Sequence, residues 1–201
     1  MMTPTRIIVF AKAPQPGRVK TRLIPALGPQ GAAQLAAQML NRTLRAALDA
    51  GIGPVTLCTE PEPNTSDWRQ IALPDGVETC WQGHGDLGAR MARAARSAIA
   101  NGEQIILSGT DCAEVSAALF RDAAQQLAQV DAGLYPSVDG GYVLLALRHY
   151  HPTLFSNIAW STATVAATTM QRLQALRWRV HTGPLLHDID TPDDLALWNT
   201  Q

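Results

Sequence analysis

Short apolar runs alternate with longer stretches of helical periodicity along this chain, and that alternation points to a mostly parallel sheet covered by helices. The run Ile7, Ile8, Val9, Phe10 predicts a buried first strand, which Pro14, Pro16 and Gly17 prevent from simply continuing. From Gln30 onward, Ala36, Met39, Leu40, Leu44, Ala47 and Leu48 recur at helical spacing opposite Gln34, Gln38, Arg42 and Arg45, and Gly51 supplies a stop. Further strands are predicted at 55–59, 77–81, 104–107, 132–136, 142–147 and near 178–181. Helices are predicted over 86–100 and 116–130 and from Ser161 or Thr162, either of which can cap it, with one helical turn at Trp68 and a short terminal helix.

A length of 201 residues suits one domain, 1–201, without a linker. With 46% hydrophobic residues and a formal net charge of −1, general attraction to nucleic acid or to an anionic membrane is excluded as the main function, so any basic cluster serves something local. Cys58, Cys80 and Cys112 are odd in number and widely spaced, which suits a reducing cytoplasm and offers no CxxC zinc pair. The first residues are too short an apolar run for a signal peptide, and no apolar stretch approaches the roughly 18 residues of a membrane span.

The local cluster is FAKAPQPGRVKTRL. It delivers Lys12, Arg18, Lys20 and Arg22 into a loop rich in glycine and proline, where the carboxyl end of the first strand opens into the crevice that α/β folds use for ligands. Such a loop is either a polyanion site or an ordinary solvated surface. After the fourth strand, Ser108, Gly109, Thr110 and Asp111 bring a carboxylate to a strand exit, where Asp111 either holds a divalent metal or caps the following turn. In HDID, Asp188 and Asp190 flank Ile189 and point the same way if extended, half of a hard-cation site; Asp190 before Thr191 and Pro192 also reads as a helix cap. The turn Asp139, Gly140, Gly141, Tyr142 permits close backbone approach to a ligand or forms a hairpin. The link from Gln82 to Gly88 offers glycine backbone to a base or sugar without the GxGxxG pattern. Val19 stands where a P-loop requires glycine, and no HExxH, GxSxG or kinase signature is present. Cys112 reads as a packing residue, and His149 and His151 as surface residues.

Taken in order, FAKAPQPGRVKTRL, QGHGDLGARM, SGTDC, DGGYVLLAL, LFSNIAWSTATV and DIDTPDDL resemble the glycosyltransferase-A-like nucleotide-diphospho-sugar transferases, and more closely the radical-SAM/selenodomain-associated transferase family. The resemblance implies a three-layer α/β/α Rossmann-like sandwich with a nucleotide pocket at the strand ends. It implies that the loop from Ala11 to Arg22 wraps the phosphates, with Lys20 neutralising charge at the reacting phosphorus and Lys12, Gly17, Arg18 and Arg22 assisting. Gln82, Gly85 and Asp86 would contact the base. Asp111 would bind Mg²⁺ or Mn²⁺, with Asp188 or Asp190 closing the site and Asp139 facing the acceptor or the metal. Gly140, Gly141, Tyr142, Trp160 and Ser161 would line the acceptor side. Ala113 follows SGTDC where the family pattern usually has proline, which frees the φ of that turn and removes no ligand.

The chemistry implied is transfer from a nucleotide or nucleotide-diphospho-sugar donor to a small-molecule acceptor in the cytoplasm, by glycosyl or nucleotidyl transfer, with Mg²⁺ or Mn²⁺ and the cations stabilising charge on a diphosphate leaving group. The first position of a DxD motif is Gly109 here, so the glycosyltransferase name can describe ancestry alone. A nucleotide-binding or partner module without turnover is the alternative from another class.

Overall fold

The computed structural model describes residues 4–199 and contains a seven-stranded sheet with helices. The strands are β1 (Thr5–Lys12), β2 (Val55–Glu60), β3 (Val77–Trp81), β4 (Gln104–Ser108), β5 (Ala132–Pro136), β6 (Tyr142–Leu147) and β7 (Val180–Thr182). The helices are α1 (Ile24–Ala50), α2 (Ser66–Arg69), α3 (Leu87–Ala100), α4 (Ala117–Gln126), α5 (Val165–Ala175) and α6 (Leu195–Asn199), with short 3-10 turns before α1 and α6 and after β6. The sheet order is β3-β2-β1-β4-β6-β5-β7. Only β6 runs against the others, because it pairs antiparallel with both β4 and β5.

Alternation along the strands divides the core. Ile7, Val9, Val55, Leu57 and Ile106 cluster with Leu40 and Leu44 of α1 and Phe120 and Ala123 of α4. Ile8, Cys58, Ile105 and Leu107 cluster instead with Met91 and Ala95 of α3 and Leu173 of α5. A third cluster joins Leu23, Ala32, Leu35 and Met39 to Ala113 and Ile189, anchoring the end of the cationic loop beside the DID segment.

Helix α1 ends as its sequence demands, at Gly51 with φ 65°, where the amide donates to the Leu48 carbonyl. Helix α5 begins later than the hydroxyls suggested. Ser161 has φ 62° and Thr162 donates its hydroxyl to the Ala159 carbonyl, so both belong to the preceding loop and Val165 opens the helix. Helix α4 is likewise shorter than its periodic stripe, since Leu127 and Val130 pack or turn beyond its last full residue, Gln126. No described helix is long and apolar enough to cross a membrane.

The topology fixes where a ligand belongs. The chain runs from β1 outward through β2 and β3, then returns to β4 on the other side of β1, so the crossovers leave a crevice at the carboxyl ends of β1 and β4. Strand β5 is parallel to β4, which brings the turn Ser137–Gly141 to the same edge.

Candidate active site

Lys20 follows β1 on the cationic loop and adopts a left-handed backbone (φ 47°) just before the 3-10 turn Thr21–Leu23. Its side chain is only 6% exposed and crosses the crevice. The ammonium lies 2.8 Å from Asp111 Oδ1 and 3.0 Å from Asp190 Oδ1, and donates to the Ile189 carbonyl at 2.6 Å. The loop after β1, the exit of β4 and the segment after β7 thus meet at one nitrogen.

The acids arrive there for local reasons. The chain around Asp188 is held to the β4 exit by a bridge between Cys112 and Asp188, by the Ala113 amide donating to the His187 carbonyl at 2.8 Å, and by the Ile189 amide donating to the Asp111 carbonyl at 2.9 Å. Ile189 is fully buried, so Asp188 and Asp190 face the other way, as extended chain requires. The helix cap that Asp190 was a candidate for is formed by Thr191, whose hydroxyl bonds Asp194 in a capping box with Pro192 at the first helical position. Asp190 is therefore free to pair with Lys20. An alanine at position 113 provides an amide that proline lacks, and that amide ties the two acidic segments together.

Asp188 is a strongly perturbed carboxyl of the site. Burial and the nearby charges of Asp111 and Asp139 push its carboxyl up to about 7, with Asp190 adding to the shift and the Ser137 hydroxyl opposing it. Asp139 reaches this corner on the β5–β6 hairpin, where its Oδ1 accepts from the Gly141 amide at 2.9 Å and from the Ser137 hydroxyl. Gly140 has φ 87° there, and a Cβ on it would lie 2.2 Å from the Ala163 carbonyl oxygen. The turn is both hairpin and site wall, and glycine is required by the close approach of the loop before α5.

Two adjoining cavities open from this corner and share Phe10, Gly109, Asp111, Asp139, Ser161, Thr162 and Asp190. The larger, about 650 Å³, is lined by Ala11, Lys12, Arg18, Lys20 and Arg22. The smaller, about 280 Å³, is walled by Leu87, Met91, Tyr142, Val143, Trp160 and Val165, with Asp188 at its acidic end. The acids stand where a cationic chamber meets an apolar one, and Arg18 also pairs with Asp67 at 3.1 Å.

Among the described residues, no group of three or more acidic, histidine or cysteine side chains is drawn together as a metal cage. The ammonium of Lys20 nevertheless takes two carboxylate oxygens and a backbone carbonyl as its neighbours, the oxygen-only donor set that suits a hard cation such as Mg²⁺ or Mn²⁺.

Of the residues singled out in the sequence, Ala11, Lys12, Arg18, Lys20, Arg22, Asp111, Asp139, Gly141, Tyr142, Trp160, Ser161, Asp188 and Asp190 line one or both cavities. Gly17, Gln82, Gly85, Asp86 and Gly140 line neither. Gln82 is turned inward, its amide donating to the carbonyls of Ala11 (3.1 Å) and Cys58 (2.9 Å), while Asp86 caps α3 through the Ala89 amide. Gln82→Leu is expected to destabilise the protein by about 2 kcal/mol in chemical denaturation, because two carbonyls lose a buried donor; an unchanged midpoint would contradict that role. The apolar wall of Leu87, Met91 and Val165 comes from α3 and α5, for which the sequence predicts helix and no part in a site. Leu87 carried a signal, being a large residue 41% exposed at the first turn of α3, but exposure is not written in a sequence.

The family DUF2064, described as uncharacterized protein conserved in bacteria, matches residues 43–162. A protein from Desulfovibrio desulfuricans G20, provisionally described as a nucleotide-diphospho-sugar transferase, has a similar structure with a TM-score of 0.85 and 30% identity, over 94% of this chain and 84% of that one. Rv0371c from Mycobacterium tuberculosis H37Rv, in a complex with manganese, shares the fold at TM-score 0.57 and 20% identity over 99% of this chain and all (100%) of that one. CMP:2-keto-3-deoxy-manno-octonic acid synthetase complexed with CTP shares it at TM-score 0.55 and 11% identity, over 96% of each chain. No curated protein sequence matches the chain.

Proposed function

The chain belongs to the DUF2064 family, and from that premise we propose that it is a metal-dependent transferase, a cytoplasmic three-layer α/β/α enzyme using a nucleotide or nucleotide-diphospho-sugar donor. The observation that carries this reading is the meeting of Lys20, Asp111 and Asp190 on the wall between a cationic and an apolar cavity. Manganese in one structural neighbour and CTP in another support the same chemistry.

In this reading the donor's phosphates occupy the larger cavity, where Lys12, Arg18, Lys20 and Arg22 offset their charge, and Ala11 lines the same wall. Asp111 and Asp190, with Asp188 beside them, would hold the metal. A divalent ion held there would supply Lewis-acid stabilisation of the charge that develops on the diphosphate leaving group. The small-molecule acceptor enters the apolar cavity along Gly141, Tyr142, Trp160 and Ser161, and Asp139 faces it or the metal. Gln82, Gly85 and Asp86 act behind this site, by holding the strand end and starting α3.

The module without turnover draws its support from Ala113, but the hydrogen bond from its backbone N–H to the His187 carbonyl keeps the SGTDC turn attached to the acid segment. The decisive test of the proposed activity is ligand-observed NMR with the four nucleoside triphosphates and a panel of nucleotide-diphospho-sugars, with and without Mg²⁺. Metal-dependent binding of a triphosphate assigns nucleotidyl transfer, and of a diphospho-sugar glycosyl transfer. Binding of neither class overturns the proposal.

A further inference from the structure

Lys20 has two neighbourhoods, and both bear on how the site loads. Its nitrogen is held by Asp111 Oδ1, Asp190 Oδ1 and the Ile189 carbonyl, at 2.8, 3.0 and 2.6 Å. The side chain is 6% exposed, whereas those of Asp111 and Asp190 are 44% and 41% exposed. The ammonium is sunk behind its carboxylates, which stay open to the cavities. The same side chain also borders the cationic chamber with Lys12, Arg18 and Arg22.

The charge balance of the corner is lopsided. Asp111, Asp139 and Asp190 act on Asp188 through space, while Lys20 pairs with Asp111 and Asp190. A left-handed backbone is uncommon for a residue other than glycine, yet Lys20 adopts it, with its carbonyl accepting from the Leu23 amide at 2.8 Å.

We propose that Lys20 is the resting occupant of the cation position, a built-in counter-ion that the arriving metal displaces and that then turns to the donor's phosphates. The inference rests on the metal site of the proposed function and adds an order of events to it. A dication among these oxygens repels an ammonium a few ångströms away, and the chamber beside it supplies the phosphate oxygens that the displaced lysine lacks. Metal and phosphate therefore load as coupled ligands: each favours the arrangement in which Lys20 has left the acids, and the coupling is reciprocal. No bond is made or broken in this exchange.

Mn²⁺ binding to the nucleotide-free protein, read from the electron paramagnetic resonance signal of free Mn²⁺, tests the exchange without any turnover. Lys20→Met and Lys20→Gln, each checked for folding by circular dichroism, are expected to bind Mn²⁺ at least about tenfold more tightly than the wild type, the scale of removing one close positive charge. Adding Asp111→Asn to either variant is expected to abolish that gain. The variants' metal-free thermal midpoints fall below the wild type's, and Mn²⁺ raises them more than it raises the wild type's. If the wild type binds Mn²⁺ and neither folded variant binds it more tightly, the displaced-lysine proposal fails while the metal site stands. If no form binds Mn²⁺, both fail.

Discussion

Asp111→Asn is expected to weaken Mg²⁺- or Mn²⁺-dependent donor binding by about a hundredfold or more, since even a hydrogen-bond partner of a metal ligand is worth ten- to a hundredfold in affinity. The carboxylate is half-exposed at the exit of β4 and touches both cavities, so the substitution changes a charge where donor and acceptor chambers meet. Its effect on folding is small by comparison. The amide loses the ion pair with Lys20, but Lys20 keeps Asp190 and the Ile189 carbonyl, and Asp188 is relieved of one of the charges that crowd it. Isothermal titration with the donor found by NMR, in metal and in chelator, separates the two effects. Unchanged metal-dependent affinity in a folded Asp111→Asn protein would contradict the assignment.

The metal-free protein is expected to lose stability as pH rises from about 4 to 7. Asp188 titrates near 7 in the folded state against an ordinary 3.8, because it is buried among like charges. Between those values the folded chain retains a proton that the unfolded chain has released, so each step up in pH favours unfolding until Asp188 is ionised in both states. The shift corresponds to a loss on the order of 4 kcal/mol, complete above pH 7. Glu114, Asp131 and Asp194 are shifted the other way, by hydrogen bonds and partner charges that outweigh burial, and their contribution is lost as pH falls from their ordinary values, 4.5 for Glu114 and 3.8 for the aspartates, toward the depressed ones, at the acidic edge of this window and below it. Asp188→Asn removes the penalty, so at pH 8 the metal-free variant is expected to be more stable than the wild type by roughly 2–4 kcal/mol, a rise of several degrees in Tm. Saturating Mn²⁺ narrows that difference by stabilising the wild-type carboxylate. A wild-type Tm that is flat from pH 5 to 8, with no gain in the variant, would contradict the crowded-acid account.

Much of this architecture was legible because local chemistry decided it. Strands β3, β5 and β6 fall at the residues the sequence predicts, between flanking turns, and Gly51 ends α1 as a left-handed cap. The reversed direction of β6 is visible only in part: Asp139, Gly140 and Gly141 allow a hairpin with β5, but nothing in the strand's apolar run says that its other edge pairs with β4. The start of α5 lies beyond the expected caps because Thr162 donates its hydroxyl to the Ala159 carbonyl and Ser161 takes a left-handed backbone, both in the loop that approaches Gly140.

The site divides along the same line. Side chains that the sequence brings beyond a strand exit, such as Lys12, Lys20 and Asp111, line the larger cavity. Gln82 also follows a strand, yet it turns inward because the carbonyls of Ala11 and Cys58 need a donor, a demand set by three-dimensional packing. The sequence left Asp190 either a cation ligand or a helix cap; the structure puts Thr191 at the cap, because Pro192 takes the first helical position.

The central claim, that a divalent cation binds at the corner of Asp111, Asp188 and Asp190 between the two cavities, is tested most directly by paramagnetic broadening of assigned amide resonances during Mn²⁺ titration. The account predicts selective loss of signals from Lys20, Gly109 to Cys112, Asp139 to Gly141 and Asp188 to Thr191, and none of that loss in Asp111→Asn. Broadening centred elsewhere, or the same pattern in the variant, would contradict it.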